Sequence, residues 1–209
     1  MSTTPILWSF RRCPYAIRAR LAIRAAGVTV RLREIVLRGK PDAFLAASPS
    51  ATVPCLEADR IIDESRDIMM WALEHRDPCG WLSRRDEDLP LIDACDGPFK
   101  AALDHTKYHV RYPTLDRNTE RAKAAMFLHE LNNRLGEFDH LTGPDASLAD
   151  AAILPFVRQF AFIDRDWFDA QDWPFLIRWL DRFLNSDDFK EVMVKYDPWQ
   201  IGQDGVPFP

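Results

Sequence analysis

Two hydrophobic rhythms divide this chain, and the change from one to the other constrains the fold more than any other feature. Up to about residue 77, short apolar runs with the two-residue period of strands alternate with runs of helical period. From Leu89 onward only the helical period recurs. A strand-and-helix stretch followed by a helix-only stretch predicts two domains, the first α/β and the second all-α.

In the first stretch the order reads strand, helix, strand, helix, two strands, helix. Ile6–Phe10 reads as a strand and Ile17–Ala26 as a helix closed by Gly27. Val28, Val30 and Leu32 alternate with Thr29, Arg31 and Arg33, the pattern of a half-buried strand. Gly39-Lys40-Pro41 breaks the chain before a helical turn over Asp42–Ala47. Val53–Glu57 and Arg60–Ile62 flank Ala58-Asp59 and predict a hairpin. Ser65 then offers an N-cap to a helix over Ile68–Glu74.

The charged run Arg84–Asp88 predicts a solvated linker. Beyond it the spacing predicts a helix over Leu91–His109, interrupted at Gly97-Pro98, and a second over Thr119–Phe138. The apolar stripe of that second helix is read as Ala122, Ala125, Met126, Leu128, Leu131 and Leu135. Ser147-Leu148-Ala149-Asp150 has the spacing of a capping box, with Asp in place of the usual Glu, ahead of an apolar helix over Ala151–Ala161 that contains Pro155. Further helices are expected from Trp173-Pro174 to Leu184 and from Asp187 to Tyr196, and an irregular tail over Pro198–Pro209.

Charge and composition narrow the function. A net charge of −5 argues against a nucleic-acid surface, which needs a basic field. No apolar run approaches the roughly 20 residues of a membrane helix, and Met1–Pro5 has none of the features of a secretory leader. Cysteines 13, 55, 79 and 95 show neither the density of a disulfide framework nor paired metal-ligand spacing, which suits a reducing cytoplasm. His105 and His109 stand four apart, a chelating distance on a helix, but without an acidic partner motif they read as a surface pair. No metal is expected.

Cys13 is the residue with a chemical case. It falls between a predicted strand and a predicted helix, just ahead of Pro14, and proline is best tolerated in a helix's first turn. A sulfur at that cap position meets unpaired N–H groups and the positive end of the helix dipole. Both favour thiolate and predict a pKa below the free value of about 8.5. Arg11 and Arg12 could add to this. The competing reading is a small buried apolar residue. A dithiol motif would carry a second cysteine at position 16, and this chain has Ala16, so disulfide exchange would run through a mixed disulfide with an outside thiol.

With Cys13-Pro14-Tyr15 at the first helix, Val53-Pro54 before the third strand, Glu64-Ser65 at the third helix and the Ser147–Asp150 box in a helical second half, the chain resembles the glutathione transferase superfamily over its whole length. Cysteine in place of a catalytic Ser or Tyr makes it similar to the omega class and its bacterial relatives. The resemblance implies a thioredoxin-like domain over residues 1–77, ordered βαβ-α-ββα, a linker over 78–88 and an all-helical domain over 89–209. It implies glutathione as substrate and Cys13 as nucleophile. It also implies a cis bond before Pro54, with the Val53 backbone pairing with the cysteinyl part of glutathione. Glu64 and Ser65 would hold the γ-glutamyl end, and Lys40 would reach the glycyl end. On their own residues Glu64 reads equally as a surface acid, Ser65 as a cap and Lys40 as a solvated loop lysine.

Phe10, Tyr15, Tyr108 and Tyr112 are acceptor-site candidates on the same basis, and core packing explains such aromatics equally well. The implied activity is thiol transfer or reduction, with a small disulfide or electrophile as partner and a homodimer as the assembly. Conjugation of glutathione to an electrophile is the alternative enzyme, and a non-enzymatic binding module with the same fold is the rival of another class.

Overall fold

The computed structural model describes residues 4–209; the expectation about Met1–Pro5 falls partly on residues outside them. The chain divides into two compact units, one of residues 1–79 with 185–209 and one of residues 80–184.

The first unit is built on a five-stranded sheet. β1 (Ile6–Ser9) pairs in parallel with β2 (Val30–Glu34), and α1 (Pro14–Ala26) makes the crossover between them. After α2 (Asp42–Ala47), β3 (Cys55–Glu57) runs antiparallel to β1, and β4 (Ile61–Ile62) runs antiparallel to β3. α3 (Ser65–His75) packs against α1. The register sets Leu7 beside Leu32 and Leu56, and all three are buried. β1 is central and buried along most of its length, so it reads as a continuous apolar run instead of an alternation. Gly27 ends α1 in the left-handed conformation, φ 63°, and its N–H returns to the carbonyls of Arg24 and Ile23.

The fifth strand comes from the other end of the chain. β5 (Val206–Phe208) lies antiparallel to the free edge of β2, giving the sheet order β4-β3-β1-β2-β5. Here the structure corrects the expectation of an irregular tail. Position 207 is proline, which cannot donate a ladder hydrogen bond and belongs on an edge strand such as this one. Trp199 anchors the approach: its N–H donates to the Glu34 carbonyl at 2.8 Å and its ring stands edge-on to Trp8. The helix expected from Asp187 to Tyr196 stops at Val192 and packs against α1.

The second unit is helical. Trp81–Arg84 forms a 3-10 turn that leads straight into a helix over Arg85–Ala94, so the expected linker is folded chain whose acidic residues fill a helix's first turn. A π-helical turn over Cys95–Phe99 separates that helix from the next, Lys100–Lys107. Pro98 lacks the N–H that a regular turn would use, and the wider turn absorbs it. His109 lies beyond the helix end, and His105 pairs with Glu120 at 2.7 Å, so the two histidines share no helical face.

Arg117–Glu137 is the long helix, capped by Asp116, whose carboxylate accepts the Thr119 N–H at 2.7 Å. Its buried stripe is Glu120, Ala124, Leu128, Leu131, Asn132 and Leu135; Met126 and Ala122, expected inside, face solvent. Asn132 is inside because its Oδ1 accepts the N–H groups of Phe175 and Leu176 in the first turn of the helix Pro174–Asn185. Leu148–Ala161 is the unit's central helix, buried at all but two of its fourteen residues. Its capping box is present, with Ser147 taking the Ala149 N–H and Asp150 taking that of Ser147. A short helix over Arg165–Asp169, which the sequence pattern does not announce, follows it.

Candidate functional site

Cys13 sits at the N-cap of α1 with extended backbone, φ −74° and ψ 122°, and Pro14 occupies the first helical position. Its side chain makes no capping hydrogen bond. It points across the loop to the Val53 carbonyl oxygen at 3.6 Å, a contact that a thiol makes and a thiolate gives up. The Val53–Pro54 bond is cis. Cys13 and Val53 are therefore neighbours, forty residues apart in sequence. Cys13 is part-exposed and packs at the rim of a cluster containing Trp8, Phe44, Val53 and Trp199, with Phe10 beside it.

The loop that leads to Val53 is held from two sides. The Lys40 ammonium donates to the Ala51 carbonyl at 2.9 Å, so Lys40 is a clip on this loop. Asp63 accepts the Ser48 hydroxyl and the Ser50 N–H, both at 2.7 Å. Burial pushes the Asp63 carboxyl up, but these hydrogen bonds outweigh it and leave its pKa below the ordinary value. Cys55 is buried beside Asp63, and burial first, then that negative charge, push its thiol up to about 12. Cys55 is thereby a structural thiol at any ordinary pH.

Glu64, not Ser65, is the cap residue of α3; Ser65 is the first helical residue. The backbone turns extended one residue earlier than the sequence pattern suggests, and the Glu64 side chain makes no capping bond and lies exposed. The Ser65 hydroxyl is buried and accepts from Arg18 Nε at 2.9 Å. The Arg18 guanidinium also lies over the Tyr15 ring, 5.1 Å from its centroid, so α1 is tied to the start of α3. Tyr108 and Tyr112 belong to the second unit, where Tyr108 lies under Arg111 and Tyr112 stands edge-on to His105.

Of the two arginines that could either tune Cys13 or face solvent, Arg12 is exposed over the Phe10 ring and Arg11 reaches the Met193 carbonyl at 3.5 Å. The buried charges near the loop are ones the sequence reading passed over: Arg20 in α1 and Glu34 at the end of β2. The available signal was Arg18 and Arg20, two of the three arginines in a largely apolar helix, set among residues of its buried face. Among the described residues no group of three or more His, Cys, Asp or Glu is placed to hold a metal ion. No helix among them is long and apolar enough to cross a membrane.

Residues 7–80 match the family model of the glutathione S-transferase N-terminal domain, and residues 113–182 match that of its C-terminal domain. The chain belongs to the glutathione transferase superfamily. Among family proteins, mouse glutathione S-transferase omega-2 is 39% identical over 51 residues, a stretch that is 24% of this chain and 21% of the mouse protein. A family member from Pseudomonas fluorescens with two glutathione bound superposes with a TM-score of 0.78 at 15% identity, over 91% of this chain and 92% of that one. Glutathione transferase Omega 3C from Trametes versicolor gives 0.74 at 15% identity, over 95% and 92%. At such identities the structural likeness is one of fold.

Proposed function

We propose that this chain is a glutathione-dependent thiol transferase of the cysteine type, acting on mixed disulfides of glutathione. The observation that carries the reading is a part-exposed cysteine at a helix N-cap whose sulfur lies against the Val53 backbone. The Cys13 thiolate attacks the glutathionyl sulfur of a mixed disulfide. The S–S bond breaks, the substrate thiol leaves with a proton from solvent, and Cys13 is left bonded to glutathione. A second glutathione thiolate attacks that sulfur, releasing oxidised glutathione and the Cys13 thiolate. With Ala16 at the fourth position, the resolving thiol comes from outside the motif.

In this reading the Val53 backbone lies along the cysteinyl part of glutathione, Glu64 and Ser65 hold the γ-glutamyl end, and Lys40 reaches the glycyl carboxylate from its place on the loop. A helix N-terminus suits a carboxylate, and an exposed acid suits an ammonium group. Phe10 and Tyr15 are the first-unit candidates for the acceptor. The working form is a homodimer in the cytoplasm. Conjugation is less favoured because the neighbouring hydroxyl, Ser9, is buried and accepts from Arg20 at 2.8 Å.

The test is turnover of the mixed disulfide of glutathione and 2-mercaptoethanol, with glutathione reductase recycling the oxidised product. The reading expects saturable turnover that disappears in Cys13→Ala. Conjugation of a chloronitrobenzene with no disulfide turnover would favour the alternative enzyme. Retention on immobilised glutathione with neither activity would favour a binding module.

A further inference from the structure

Arg20 lies in the middle of α1, fully buried, and its guanidinium serves three elements at once. Nε donates to the Ser9 hydroxyl of β1 at 2.8 Å. One terminal nitrogen donates to the Val192 carbonyl at 2.8 Å, and the other meets the Glu34 carboxylate of β2 at 3.3 Å. The second Glu34 oxygen accepts the backbone N–H of Arg11, two residues before Cys13, at 2.5 Å. Burying such a pair costs desolvation that an apolar side chain of similar size would avoid. Here the pair does something an apolar residue cannot, since it runs a continuous line of hydrogen bonds from a buried cation to the loop that carries Cys13.

The geometry points to Arg20 as a positioning residue for Cys13: with Glu34 it fixes the loop over residues 10–13 and keeps a positive charge near the sulfur, favouring thiolate. This rests on the reading of Cys13 as a nucleophile. Electrostatics agree with the direction. Burial lowers the Arg20 pKa, while the negative charges of Glu34, Tyr196 and Cys13 raise it and the positive Arg11 opposes them. Coupling between two charges is mutual, so what Cys13 does for Arg20, Arg20 does for Cys13. On Glu34 itself burial raises the carboxyl pKa, while the Arg20 charge and the backbone N–H and charge of Arg11 lower it.

The experiment is alkylation of Cys13 by iodoacetamide across about pH 4 to 9, read on the Cys13 peptide by mass spectrometry. Arg20→Met combined with Glu34→Gln removes both charges at similar volume. The expected midpoint rises by about one unit, so alkylation on the acid side slows about tenfold. Arg20→Lys keeps the charge and the wild-type midpoint. A folded double variant, by circular dichroism, with an unmoved midpoint would overturn the proposal. Should the double variant not fold, Glu34→Gln decides. Removing the carboxylate leaves the cation uncompensated and lowers the midpoint, and an unmoved or raised midpoint overturns the assignment. Wild-type Cys13 titrating like a free thiol would remove the thiol-transfer reading as well, and that failure appears in the unmutated chain.

Discussion

The Cys13 sulfur and the Val53 carbonyl oxygen stand 3.6 Å apart, joining the first helix cap to the loop before β3. A thiol–carbonyl hydrogen bond is weak, so losing it should cost the fold little. Cys13→Ala is therefore expected to keep the melting temperature within a few degrees, about 1 kcal/mol or less, while thiol transfer falls to background. Differential scanning calorimetry beside the mixed-disulfide assay checks both halves; turnover surviving in the variant would exclude Cys13 as nucleophile.

Glu64 separates binding from stability. Its side chain is exposed and makes no capping bond, so α3 does not depend on its carboxylate. A charge-assisted hydrogen bond to the ammonium of glutathione contributes about 1.5–3 kcal/mol. Glu64→Ala should therefore weaken glutathione binding roughly tenfold or more with little change in melting temperature. Isothermal titration calorimetry reads the first and a thermal scan the second. Equal affinity in the variant would remove Glu64 from the site.

What the sequence disclosed follows from which signals are local. The turn at Gly27, the capping box at Ser147 and the strand–helix junction at Cys13 depend on residues within a few positions of each other, and the pattern contains them. The tail is different. Nothing in Val206-Pro207-Phe208 alone makes a strand; the open edge of β2, more than 170 residues earlier, supplies the hydrogen bonds. Asn132 in the stripe of the long helix is equally opaque, because its reason for burial is the start of a helix over forty residues on. Arg20 was visible as an oddity in an apolar helix, but its partners Glu34 and Val192 are tertiary. The Met126 reading failed for a related reason, since apolar character marks a helix face only when something packs on it.

Asp88 should make stability depend on pH in a defined sense. It is fully buried in the second unit, with one oxygen accepting the Thr142 and Ser147 hydroxyls at 2.8 and 2.9 Å and the other without a partner among the described residues. Burial raises its pKa, the nearby Asp150 charge adds to that, and the two hydroxyls only partly offset them. A raised carboxyl pKa means that the folded state binds the proton more tightly than the unfolded one. The stability lost to this group therefore begins near the ordinary value of about 3.9 and grows until pH passes the raised value. Asp88→Asn removes the titration. Its melting temperature relative to wild type should rise with pH through that window and then level off, whatever the constant offset between the two proteins. A pH-independent difference would show that Asp88 ionises normally.

Trp199 is the point at which the returning chain is fastened to the sheet. Its N–H is bonded to Glu34, its indole N–H to the Gln203 carbonyl at 2.7 Å, and the Arg33 guanidinium lies over both its ring and that of Trp8, 4.7 and 4.9 Å from the two centroids. Truncating a buried tryptophan costs about 3–5 kcal/mol, so Trp199→Ala should lower the melting temperature clearly. Gly205 offers a gentler probe of the same segment. Its φ is +96°, and a Cβ there would meet the Leu32 carbonyl oxygen at 2.9 Å. Gly205→Ala should loosen β5 without removing any side-chain contact. Amide exchange should then speed up in Leu32 and Val206, the pair held in that register, while α3 stays protected. Unchanged exchange at β2 and β5 in this variant would mean that the tail binds the sheet through Trp199 and not through the strand.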